Sequence, residues 1–129
     1  KEYGADVYVD KISKKMTSIF VKEKIRMRAG ETEKSISVVN EAIYKLIQQV
    51  TDTIDFSGPL DVDIIEQNGK LYVLEINPRF GGGYPHAYEC GVNFPEYILK
   101  NAAGEKNSKR IFEYQPGIKC MKYSEIVTV

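Results

Sequence analysis

The sequence predicts an α+β chain, an antiparallel sheet flanked by helices, from three observations. Two apolar runs, Leu60 to Ile65 and Leu71 to Ile76, are joined by Gln67-Asn68-Gly69. Stretches rich in β-branched and aromatic residues open the chain, and a single long apolar stripe at helical spacing separates the two strand-rich regions.

Ala5 to Asp10 and Met16 to Val21 read as a hairpin across the polar Ile12 to Lys15 connection. The second strand runs on. From Lys22 to Arg28 the charges fall on every second residue (Lys22, Lys24, Arg26, Arg28), while Ile25 and Met27 point the other way, so residues 1–36 read as strands with one basic face. Ala29-Gly30-Glu31 ends that strand, and a polar stretch leads to Asn40, a predicted N-cap with Glu41 in the first helical turn. In the helix that follows, Ile43, Leu46, Ile47, Val50 and Ile54 form one stripe that needs a sheet to cover. After the 60–76 hairpin, Pro85 to Cys90 reads as a short helix ended by Gly91. Asn93 caps another helix, with Phe94, Ile98, Leu99 and Ala102 inward and Gly104 as its stop. Ile118 to Val129 alternates as a strand does.

At 129 residues, 43% apolar and 28% charged, the chain is long enough for one core and reads as one domain. Basic and acidic residues balance at 18 each, so no global field draws it to nucleic acid or to an anionic membrane. No apolar run approaches the roughly 20 residues that span a bilayer. Cys90 and Cys120 stand outside any metal-ligand spacing and read as small buried hydrophobes of a cytoplasmic protein. The chain starts at Lys1 directly on strand-like sequence, which reads as a fragment of something longer.

The chemistry gathers in Asp61-Val62-Asp63 and Glu75-Ile76-Asn77-Pro78-Arg79. Parity decides whether these groups meet. A two-residue Asn68-Gly69 turn sets Asp63 opposite Leu74 and sends the acids to opposite faces. A three-residue loop pairs Glu66 with Lys70, makes Asp61 the neighbour of Glu75, and brings Asp63, Glu75 and Asn77 to one face; this register is the expected one. Carboxylates ending apolar strands are costly unless neutralised, and Mg²⁺ needs only one or two carboxylates and an amide oxygen beside phosphate and water. Two readings stand open here: Asp63, Glu75 and Asn77 as metal ligands, or a solvated strand end with Arg79 in a structural salt bridge.

The stretch GPLDVDIIEQNGKLYVLEINPRFGGGYPHAYECGVNFPEYILKNAAG, residues 58–104, resembles the terminal part of ATP-grasp domains, most closely the carbamoyl-phosphate-synthase-like branch and more distantly biotin carboxylases. EYGADVYVD and IRMRAGE are similar to that branch as well. The resemblance implies the C-terminal half of an ATP-grasp fold in an ATP-dependent ligase. It makes Asp63, Glu75 and Asn77 ligands of Mg²⁺ (Mn²⁺ in its place), joined to ATP phosphates. It makes Arg79 the residue that stabilises phosphoryl transfer or holds the carboxylate substrate. ATP, a small carboxylate or bicarbonate, and an amine or ammonia would be the reactants. An N-terminal part of the same protein would supply lysines over the phosphates, so the isolated chain is expected to be inactive. The family often has Glu or Gln where Asp63 stands.

Arg26 and Arg28 are the expected phosphate contacts on the basic face, with Lys22 and Lys24 as solvated edge charges that block aggregation. Ile65 shares the face of Asp63 and is expected against the nucleotide. Leu74 is an adenine-lining position by resemblance, although the expected register turns it away. Gly81-Gly82-Gly83 before a helix start lets backbone amides approach a substrate carboxylate, or is simply a turn. His86 reads as a surface histidine of the following helix. The competing class is a non-catalytic nucleotide- or metal-binding interaction module.

Overall fold

The computed structural model describes residues 1–129. The elements, in chain order, are β1 (Glu2–Val9), β2 (Met16–Arg28), β3 (Glu31–Val38), α1 (Glu41–Thr53), β4 (Gly58–Gln67), β5 (Lys70–Asn77), α2 (Tyr84–Glu89), α3 (Phe94–Ala102), β6 (Arg110–Ile111) and β7 (Lys119–Met121). Seven strands make one sheet in the order β5-β4-β1-β2-β3-β7, with β6 running parallel to β2 at Ser18 and Ile19.

Alternation along each strand separates two cores. Tyr3, Ala5, Val7 and Val9 of β1, Ile19 and Val21 of β2, and Leu60, Val62 and Ile64 of β4 pack on one face with Ile43 and Ile47 of α1. Burying each of those two isoleucines contributes about 1.5–3 kcal/mol. Asn40 starts α1 as its sequence predicts, its Oδ1 accepting from Ala42 N and Ile43 N at 3.0 and 3.1 Å. The stripe does not bury uniformly: Leu46 and Val50 are half-buried and Ile54, past the helix end, is exposed. On the other face Tyr8 and Phe20 pack with Tyr84, Ala87, Val92, Phe94 and Tyr97. In α3 the inward residues are Phe94, Tyr97 and Asn101, with Leu99 exposed, because Asn101 takes the buried position to bond Asp10 and Tyr8.

Three sequence expectations are corrected. The polar stretch after Gly30 is not a connection but strand β3, whose buried positions Ser35 and Ser37 are hydroxyls. The Ile118 to Val129 strand shrinks to Lys119–Met121, and residues 123–129 are exposed. The β4–β5 turn has two residues, Asn68 and Gly69, both at positive φ (52° and 71°), and pairs Gln67 with Lys70 rather than Glu66 with Lys70. A β-bulge then restores parity. Ile64 faces Val73, but Asp63 faces Glu75 and Asp61 faces Asn77, leaving Leu74 as the extra residue.

Candidate functional site

The bulge places Asp61, Asp63, Glu75 and Asn77 on the sheet face that carries α2 and α3. Neighbouring strands add to the same face. Gly4 lies between Asp63 on one side and Lys22 on the other, and Asp6 between Asp61 and Phe20. A Cβ on Gly4 would stand 3.1 Å from Lys22 Cε and 3.4 Å from Lys24 Cε. The bare backbone there lets both lysines lie across β1. Lys24 Nζ reaches Asp63 Oδ1 at 2.6 Å, and Lys22 forms an ion pair with Asp6 that is buried on both sides.

Lys22, Lys24, Asp61, Asp63, Glu75 and Asn77 line a hollow of about 290 Å³ together with Met27, Gly30, Glu31, Thr32, Arg79, Gly82 and Gly83. Only Met27 among its thirteen lining residues is hydrophobic. Ligand pockets are usually larger and mostly apolar. A lining this polar suits phosphates and small carboxylates better than an adenine ring.

The glycine loop closes one side. A Cβ at Gly81 would fall 2.5 Å from the Asp61 carboxylate, and one at Gly83 would fall 2.8 Å from Lys22 Cε. Side chains are excluded at both positions because charged groups support the loop from beneath. Arg79, 60% exposed, approaches Asp61 Oδ2 at 3.4 Å and donates to the Phe80 carbonyl at 2.9 Å. Burial, reinforced by Asp6 and Asp63, raises the Asp61 pKa, with Lys22 and Arg79 pulling the other way.

The basic face is corrected by a second irregularity. Lys24 pairs with Ser35 and Arg26 with Lys34, so Ile25 is an extra residue in β2 and the alternation inverts after it. Lys22 and Lys24 therefore face the hollow as buried ion-pair partners and are not solvated edge charges. Arg26 and Arg28 turn outward, pairing with Glu33 at 2.8 and 3.5 Å, and neither lines the hollow. The pairing of basic with acidic strands across Gly4 was the missed signal: a glycine in a central strand marks close approach.

Ile65 is half-buried, on the same face as Asp63 and opposite Tyr72. Leu74, released by the bulge, is 61% exposed at the edge strand. His86 is not on the surface: it is 2% exposed beneath α2. Its Nε2 donates to the Ile118 carbonyl at 3.0 Å, so Nδ1 accepts from Ser35 Oγ at 2.8 Å. Burial and the nearby Lys22 lower its pKa.

Asp63, Glu75 and Asn77 offer two carboxylates and an amide oxygen toward one hollow, the hard-oxygen chemistry that Mg²⁺ takes. No three His, Cys, Asp or Glu side chains gather into a complete cage of their own. The donors fit a cation that completes its shell with phosphate oxygens and water, and Asp63 is also the ion-pair partner of Lys24.

The family model for "ATP-grasp in the biosynthetic pathway with Ter operon" matches residues 1–126. The chain belongs to the ATP-grasp family. Among solved structures the ATP-grasp chain is similar to N5-carboxyaminoimidazole synthetase from Staphylococcus aureus complexed with ADP, at 20% identity and TM-score 0.66, over 90% of this chain and 33% of that one. It is similar to the biotin carboxylase domain of Hydrogenobacter thermophilus 2-oxoglutarate carboxylase, in complex with MgADP, ADP and bicarbonate, at 18% identity and TM-score 0.71, over 92% and 28%. L-amino acid ligase from Bacillus licheniformis matches at 22% identity and TM-score 0.53, over 89% and 32%. The ATP-grasp chain thus spans about a third of the length of these neighbours, and its sheet with few helices is part of the ATP-grasp fold. No curated protein matches it. No helix is long and apolar enough to cross a membrane.

Proposed function

We propose that this chain is the metal- and phosphate-binding part of a cytoplasmic ATP- and Mg²⁺-dependent ligase that joins a carboxylate to an amine or ammonia through an acyl phosphate. The observation that carries the reading is the cross-strand pairing of Asp63 with Glu75, and of Asp61 with Asn77, along the floor of a polar hollow. Family membership over residues 1–126 supports it.

In this reading a substrate carboxylate oxygen attacks the γ-phosphorus of ATP, the bond to the β,γ-bridging oxygen breaks, and ADP leaves. The amine nitrogen then attacks the acyl carbon, phosphate departs, and the amine gives up a proton. Such chemistry rests on positioning and charge neutralisation. Asp63, Glu75 and Asn77 would hold the cation. When bound, Mg²⁺ (or Mn²⁺) neutralises charge on the transferring phosphoryl group. Lys24, paired with Asp63 and 8% exposed at the floor, would offer its ammonium to a phosphate oxygen once Asp63 is engaged elsewhere. Arg79 stands at the rim with the freedom to donate to the substrate carboxylate or the phosphoryl oxygens. Ile65 and Leu74 border the nucleotide side, and the adenine pocket and the remaining phosphate contacts come from an N-terminal part of the parent. The isolated chain is therefore inactive.

The test is calorimetric titration of ATP with Mg²⁺ into the full-length parent, wild type beside Asp63→Asn and Glu75→Gln. Loss of metal-dependent nucleotide binding in both variants is expected. Unchanged binding sinks the ligase reading and leaves an interaction module.

A further inference from the structure

Among the charged residues lining the hollow, Lys22 is matched by Asp6, and Glu31 is the acid that neither the proposed cation nor a charge of the hollow itself engages. It opens β3, directly after the Ala29-Gly30 turn, and its Oε atoms stand 3.5 Å from where a Cβ on Gly82 would be. The middle glycine of the loop thus leaves a space bounded by a carboxylate. Of the other acids lining the hollow, Asp63 and Glu75 serve the cation and Asp61 is matched by Arg79. The only ionic partner of Glu31, itself 67% exposed at the rim, is Lys122 at 3.2 Å, a half-buried residue just past β7.

An acid at this point has a consequence for what the glycine loop accepts. A simple anion such as bicarbonate, held by Arg79 and the loop, would gain nothing from Glu31 and would be repelled by it. A carboxylate that also carries a cationic amino group gains a charge-assisted contact at each end. The geometry points to Glu31 as the specificity residue for an amino-acid-type substrate, binding the ammonium of a molecule whose carboxylate lies by Arg79 and Gly81–Gly83. Lys122 holds Glu31 until that ammonium replaces it. The inference rests on the ligase reading of the same hollow.

The test measures ADP release by the full-length protein with ATP and Mg²⁺, ammonia as the common amine, and matched carboxylates. These are the proteinogenic amino acids, their des-amino analogues such as propionate for alanine, and bicarbonate. Amino acids are expected to support release and their des-amino analogues not. Glu31→Gln should raise KM for the active amino acid by about tenfold and leave KM for ATP within about twofold. Lys122→Ala, which removes the competing cation, should lower the amino-acid KM. Bicarbonate or propionate serving as well as any amino acid, with Glu31→Gln indifferent, overturns the inference while the ligase reading stands. Absence of ADP release with every carboxylate overturns both.

Discussion

Lys24 crosses a whole strand to reach Asp63: its ammonium lies 2.6 Å from the carboxylate although β1 runs between their two strands, and Gly4 is the gap it passes over. The pair gives the hollow its own counter-ion. A divalent cation held by Asp63, as proposed above, would have to displace it. Lys24→Met is expected to tighten Mn²⁺ binding in the absence of ATP several-fold, read by the loss of free Mn²⁺ signal in electron paramagnetic resonance. Unaltered Mn²⁺ affinity would show that Asp63 takes no part in holding the ion.

The three loop glycines are not equivalent. At Gly81 a Cβ would overlap the Asp61 carboxylate at 2.5 Å, whereas at Gly82 the nearest atoms are the Glu31 carboxyl group at 3.4–3.5 Å, ordinary contact. Gly81→Ala should destabilise by about 1–3 kcal/mol and shift the loop. Gly82→Ala should lower the thermal midpoint by no more than a degree or so, roughly a few tenths of a kcal/mol. Thermal unfolding of the two variants side by side decides it, and equal losses would refute the distinction.

Lys22 and Asp6, 2% and 1% exposed, neutralise each other inside the sheet face. Lys22→Met strands a buried carboxylate and is expected to cost about 3–5 kcal/mol in urea unfolding, most of it regained in the Lys22→Met, Asp6→Leu double variant. A double variant no more stable than the single one would mean that the lysine's packing, rather than its charge, is what matters.

His86 is the only histidine, and it folds into its site neutral. Its pKa in the folded protein is lowered by burial and Lys22, so the unfolded chain binds the proton more readily. Stability from this group is complete above the free-histidine value of about 6.5 and declines as pH falls below it. The urea midpoint should drop from pH 7.5 to 5.5 in the wild type and drop less in His86→Gln. Parallel pH profiles would remove His86 as the cause.

What the sequence disclosed and what it hid have physical reasons. The cap at Asn40, the α1 stripe, the first hairpin and the 60–76 hairpin are local signals, and each appears at its predicted place. The shared face of Asp63, Glu75 and Asn77 also appears, by a different route: the turn is the short one and Leu74 absorbs the difference. Bulges leave no mark in the alternation pattern, and the same blindness turned Arg26 and Arg28 toward the hollow in place of Lys22 and Lys24. β3 was hidden because its buried side chains are Ser35 and Ser37, satisfied by His86 Nδ1 and the Gln115 carbonyl rather than by apolar packing. His86 followed from that error, since a polar strand over α2 was needed to bury it.

The bulged leucine makes the spacing between the hairpin's two acids elastic. A protein lacking that one residue would count eleven positions from the first acid to the second instead of twelve, yet every oxygen donor would still look the same way, because only the unpaired residue has gone. Kinship at this hairpin is better judged by which residues stand across from each other than by how many lie between them.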